Sequence, residues 1–110
     1  MPAAAEVRPE KWTEIRVLFD DGEYSVISGL YERGPHRSLG ERWNGDAGSP
    51  IGFPNVAGYP IWHVVPQFLQ LHVLHGLLDA LSAHPSPNSG EYVRAILDEL
   101  QRVNQSRPMP

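Results

Sequence analysis

Apolar and β-branched residues alternate with charged ones over residues 12–19. Thr13, Ile15, Val17 and Phe19 fall on one side, Glu14 and Arg16 on the other. A period of two is that of a half-buried strand. Asp20, Asp21 and Gly22 follow as a short turn with glycine at the left-handed position, and Tyr24, Val26 and Leu30 resume the alternation. The two segments predict a β-hairpin. Residues 31–38 are charged and interrupted by Gly34 and Pro35, which predicts a loop, and a short strand is expected over 39–43. The run PIWHVV at 60–65 predicts a further strand leading directly into a helix that starts at Pro66.

The period then changes. Phe68, Leu71, Leu74, Leu78 and Leu81 recur at steps of three and four, which predicts a helix over 66–83. Leu69, Val73 and Leu77 widen the stripe beyond what one sheet face covers, so a second surface is expected, either the last helix or another subunit. Proline ends the helix at 84–87. Asn88 and Glu91 have the spacing of a capping box, opening a second helix over 90–103 with the stripe Val93, Ile96, Leu97 and Leu100. Strands first and helices last predict an α+β fold, an N-terminal antiparallel β-sheet of three to four strands followed by two C-terminal α-helices packed on one face. A single domain over 11–104 is expected, with a flexible arm at 1–10 and a flexible tail at 105–110. The sheet face left bare, with Trp12 read as exposed, predicts a homo-oligomer.

Charge narrows the partners. Nine Lys and Arg against thirteen Asp and Glu give a net charge of −4, and only Lys11 is a lysine, so no nucleic-acid partner is expected. The absence of cysteine excludes disulfides, thiolate zinc sites and thiol nucleophiles. The opening residues MPAAAEVRPEKW lack the basic start and apolar run of a signal peptide, and no apolar stretch approaches about 20 residues, so neither a leader nor a membrane partner is expected and the location expected is cytoplasmic.

The segment 39–66, LGERWNGDAGSPIGFPNVAGYPIWHVVP, holds two of the three tryptophans, five of the ten glycines and four of the eleven prolines. Glycine and proline at this density shape an ordered loop. Arg42, Trp43 and Asn44 combine a fork of donors, an aromatic face and an amide suited to gripping a small polar ligand, and Tyr59, Trp62 and His63 complete the candidate ligand-binding set. The alternative is a turn in which Trp43 plugs the core while Asn44 and Gly45 make the bend and Arg42 pairs with Asp46. No catalytic residue is assigned. Ser25, Ser28, Ser38 and Ser49 lack the context of an activated nucleophile, and GDAGS lacks the lysine of a phosphate-binding loop. His72, His75 and Asp79 share one quarter of the first helix, but a lone helix supplies too few ligands, so neither a metal nor any other cofactor is expected.

At LGERWNG, GFPN and GYPIWHVVP the chain resembles small uncharacterised bacterial proteins carried as cargo by integron gene cassettes and other mobile elements. The resemblance covers 28 residues, 39–66. It implies a bacterial cytoplasmic origin and an accessory role, and it carries over no catalytic residue. The expected function is a non-enzymatic domain that self-associates and presents this segment to a small molecule or protein. The rival is a small hydrolytic enzyme using His63 with Asp46 or Glu41, and Arg42 to polarise the substrate.

Overall fold

A computed structural model describes residues 2–106, in two compact units that meet in sequence at Val65 and Pro66. The first unit holds six strands: β1 (Trp12–Asp20), β2 (Tyr24–Tyr31), β3 (Arg37–Trp43), β4 (Asn55–Val56), β5 (Tyr59–Pro60) and β6 (His63–Val64). The second holds a 3-10 turn (Gln67–Leu69) and two helices, α1 (Gln70–Ala83) and α2 (Ser89–Ser106). The class is the α+β expected. A four-stranded antiparallel sheet runs in the order β1-β2-β3-β6, and β4 and β5 form a separate ribbon.

The hairpin forms where the alternation places it, and Gly22 takes the left-handed conformation, φ +91°, in its connection. Its first strand departs from simple alternation. Thr13 pairs with Leu30 and Arg16 with Ser28, then Val17 with Ile27 and Phe19 with Val26, so β1 carries an extra residue at two places. Each bulge exchanges the faces. Val17 and Phe19, expected on one side, therefore face opposite sides. The dense run at 60–65 is likewise two pieces, because Pro60 closes the β4-β5 ribbon while His63 and Val64 reach the main sheet.

One face of the sheet carries Trp12, Ile27 and Trp62, packed with Ala4 and Val7 and flanked by Ile15, Val17, Tyr31 and Val64. Trp12, read as exposed, is 5% exposed. Its ring lies across two glycines: a Cβ on Gly29 would stand 3.1 Å from its Cε3, and one on Gly40 3.1 Å from its Cη2. The arm read as flexible is held at 4–7. A short 3-10 turn (Ala4–Glu6) puts Ala4 and Val7 in this core, Trp62 Nε1 donates to the Val7 carbonyl at 2.9 Å, and the Ala4 amide donates to Asp20 Oδ2 at 2.8 Å.

In the second unit α1 and α2 lie against each other. The buried stripe of α1 is Gln70, Leu74, Leu77 and Leu81, with Phe68 outside it and 79% exposed. The stripe of α2 is Ala95, Ile96, Glu99, Leu100 and Val103, whereas Leu97, read as part of it, is 52% exposed. Both stripes sit one flank away from the simplest reading of the spacing. At the start of α2 the Asn88 carbonyl accepts from the Tyr92 amide, and the Ser89 hydroxyl accepts from the Ser86 amide. The helix runs to Ser106, into the segment expected as tail, and the rest of that tail lies outside the described residues.

Candidate functional site

Strand β3 sorts the candidate residues by parity. Alternate side chains point to opposite faces, so Glu41 and Trp43 share one face while Gly40 and Arg42 share the face of the tryptophan core. Arg42 is 1% exposed. Its Nε donates to the Ile61 carbonyl at 3.1 Å, and its Nη2 to the carbonyls of Ile51 at 2.6 Å and Pro54 at 3.5 Å, with the guanidinium 6.0 Å from the Trp62 ring centroid. Asp46, offered as its partner by the sequence, instead accepts the amides of Gly48 and Ser49. Arg42 is therefore a pin that fastens both limbs of the Gly/Pro-rich segment through their carbonyls. Burial lowers its pKa from the ordinary guanidinium value, and Nη1 is buried with no hydrogen-bond partner.

Asn44 is also internal. Its Oδ1 accepts from the Ser25 hydroxyl at 2.6 Å and its Nδ2 donates to Asp20 Oδ1 at 2.9 Å, tying the end of β3 to the hairpin. Trp62 is 3% exposed. Of the six candidate residues, Arg42, Asn44 and Trp62 thus belong to the interior, while Trp43, Tyr59 and His63 are exposed.

On the other face two cross-strand rows lie side by side. The first is Tyr24, Trp43 and Phe53. Tyr24 pairs with Trp43, their ring centroids 5.0 Å apart and tilted by 57°, and Trp43 forms an antiparallel bridge to Phe53 with both backbone hydrogen bonds made, at 2.7 and 3.0 Å. Residues directly opposite in such a ladder project from the same face. Trp43 is 58% and Phe53 65% exposed. The segment returns to make this bridge because Gly45 and Gly52 hold positive φ, and a Cβ on Gly52 would collide with the Trp43 carbonyl.

The second row is Val26, Glu41 and His63. The Tyr24 hydroxyl donates to Glu41 Oε1 at 2.8 Å, and His63 Nδ1 stands 3.8 Å from Glu41 Oε2. Burial pushes the Tyr24 phenol above its ordinary pKa, and the Glu41 carboxylate adds to the shift. A shelf of three rings with a carboxylate and an imidazole on its border is the result. Tyr59 sits apart from these rows, on the β4-β5 ribbon opposite Val56 across a tight turn at Ala57 and Gly58.

Sequence reasoning missed Tyr24 and Phe53 as site residues and named Glu41 only as a possible base. The period-two alternation of β3 would have joined Glu41 to Trp43. Nothing local ties Phe53 to Trp43, since they meet only through the reversals at Gly45 and Gly52. His72, His75 and Asp79 are exposed on α1, and among the described residues no group of three or more metal-ligating side chains converges. No helix among them is long and apolar enough to cross a membrane. No protein-family model, curated protein or solved structure matches the chain.

Proposed function

We propose that this α+β protein is a non-enzymatic binding domain whose contact surface is the Tyr24, Trp43 and Phe53 shelf, and that it self-associates. The observation that carries the reading is two large rings, each more than half exposed, held in register by backbone hydrogen bonds. Exposed aromatics on a rigid sheet supply contact area with little ordering cost on binding. Self-association is supported separately by Phe68, Leu69 and Leu97, apolar side chains that the helical unit leaves in water. The resemblance at 39–66 adds a cytoplasmic location and an accessory role as mobile-element cargo.

The test is a screen of common metabolites by NMR, reading the three tryptophan indole signals. Ligands of the shelf move the Trp43 signal, spare those of buried Trp12 and Trp62, and lose their effect in Trp43→Ala. If no compound moves Trp43 and light scattering gives a monomer at high protein concentration, both halves of the reading fail.

A hydrolytic reading retains one specific support, the approach of His63 to Glu41. The residues proposed to complete it do not gather there: Arg42 lies on the opposite face, and Asp46 is occupied by loop amides. Two of the serines are engaged too, Ser25 with Asn44 and Ser28 as acceptor from Arg37 Nε at 2.7 Å. Ester hydrolysis that disappears in His63→Ala would restore this reading over the binding one.

A further inference from the structure

We infer that the shelf takes a small organic cation, one with an alkylated ammonium head, seated over Tyr24, Trp43 and Phe53 with Glu41 as its counter-charge. The inference rests on the shelf being a contact surface and names what that surface selects. Aromatic faces carry a negative quadrupole and attract cations, tryptophan most strongly. Here the row holds an indole at its centre, flanked by a phenol ring and a phenyl ring. Alkylated ammonium is weakly hydrated compared with a primary ammonium, so it loses less on leaving water for an open shelf.

The charges around the shelf agree. Glu41 is anchored through Oε1 by the Tyr24 hydroxyl and keeps about a third of its side chain open to solvent. Glu23, next to Tyr24, and Asp46 are exposed acids in the connections that flank the row. Arg42 is the only Lys or Arg between Arg37 and Arg94 in the sequence. Its charge is spent on backbone carbonyls on the opposite face. Of the cations on this face among the described residues, His63 stands beside Glu41 and opposes a cation only when protonated. Arg37, at the far end of β3, bonds Ser28 and the Glu14 carbonyl, and Arg16 lies opposite Ser28 on β1. An anionic ligand would meet Glu41 directly, and a neutral apolar one would leave the carboxylate without use.

The experiment compares choline with its neutral carbon isostere, 3,3-dimethylbutan-1-ol, at pH 8 and constant ionic strength, following the Trp43 indole by NMR. Choline is expected to shift that signal saturably with a Kd of about 1 mM, and the isostere to bind at least about tenfold more weakly. Glu41→Gln should weaken choline about tenfold while leaving the isostere unchanged, and Trp43→Ala should abolish both. Equal binding of choline and isostere overturns the cation inference and leaves the shelf as an apolar contact surface. Shifts from neither at about 50 mM, a range well beyond millimolar affinity, also overturn it. In that case a fall in mass on Trp43→Ala and Phe53→Ala assigns the shelf to a second copy, and an unchanged mass removes the shelf reading as well.

Discussion

The two tryptophans of the Gly/Pro-rich segment have opposite roles, although the sequence treats them alike. Trp62 is buried and its indole nitrogen bonds the Val7 carbonyl, whereas Trp43 has water on one side and Tyr24 on the other. Trp62→Ala should cost about 3 to 5 kcal/mol, with a fall in melting temperature of roughly 4 °C or more for each kcal/mol. Trp43→Ala should cost no more than about 1 kcal/mol, because it opens no cavity. Thermal melts of the two variants check this contrast, and a Trp43→Ala protein as unstable as Trp62→Ala would remove Trp43 from the surface. Tyr24 offers a second residue-scale outcome. Its folded-state pKa lies above the unfolded value near 10, so the folded protein holds the phenolic proton more tightly. Its contribution is present in full below about pH 10 and is lost as pH rises toward the folded value. The stability of the parent should therefore fall more steeply above about pH 10 than that of Tyr24→Phe, as measured by urea unfolding across that range.

Among the elements, β3 is the one on which the others are registered. It gives Gly40 to the bed of Trp12, Arg42 to the pin under the Gly/Pro-rich segment, and Glu41 and Trp43 to the shelf. A Cβ at position 40 would stand 3.0 Å from Trp62 Cβ and 3.2 Å from Ile27 Cγ1. Gly40→Ala should thus destabilise by about 1 to 3 kcal/mol through overpacking, although the same change raises strand propensity, and chemical denaturation decides the sign. Arg42→Gln removes the fork that holds the Ile51 and Ile61 carbonyls. The loss should be on the order of 3 kcal/mol, since hydrogen bonds to a charged group contribute about 1.5 to 3 kcal/mol. It should also speed amide exchange at Phe53 and Ile61, whose amides close the segment onto Trp43 and Pro54. Unchanged exchange at those two amides would show that the glycine reversals hold the segment without Arg42.

At the scale of the whole molecule the apolar residues that remain in water are the informative ones. Trp12 no longer argues for assembly, because the sheet's own glycines accommodate it. Phe68, Leu69 and Leu97 do argue for it. Light scattering should give at least twice the 12.3 kDa chain mass, through an interface of more than about 1,000 Å² in total, and Phe68→Ser with Leu97→Ser should return the monomer. A parent that is monomeric at high concentration would leave the helical surface unexplained and end the self-association proposal.

The chain by itself determined the elements whose signals are local. The hairpin follows from its alternation and from Gly22, the two helices from steps of three and four bounded by proline, and the α+β class from their order. Local periodicity also placed Trp62 opposite His63, which the structure keeps. What it left undecided depends on partners distant in the sequence. The bulges of β1 are set by pairing with β2 and reverse the faces of Val17 and Phe19. The arm is ordered by Trp62, 55 positions from Val7 along the chain. The shelf exists only because the segment after Trp43 turns back to lay Phe53 beside it, and Arg42 became interior because carbonyls from three places converge on its guanidinium. A side chain's face and neighbours are properties of strand pairing and loop closure, and residue type alone carries neither.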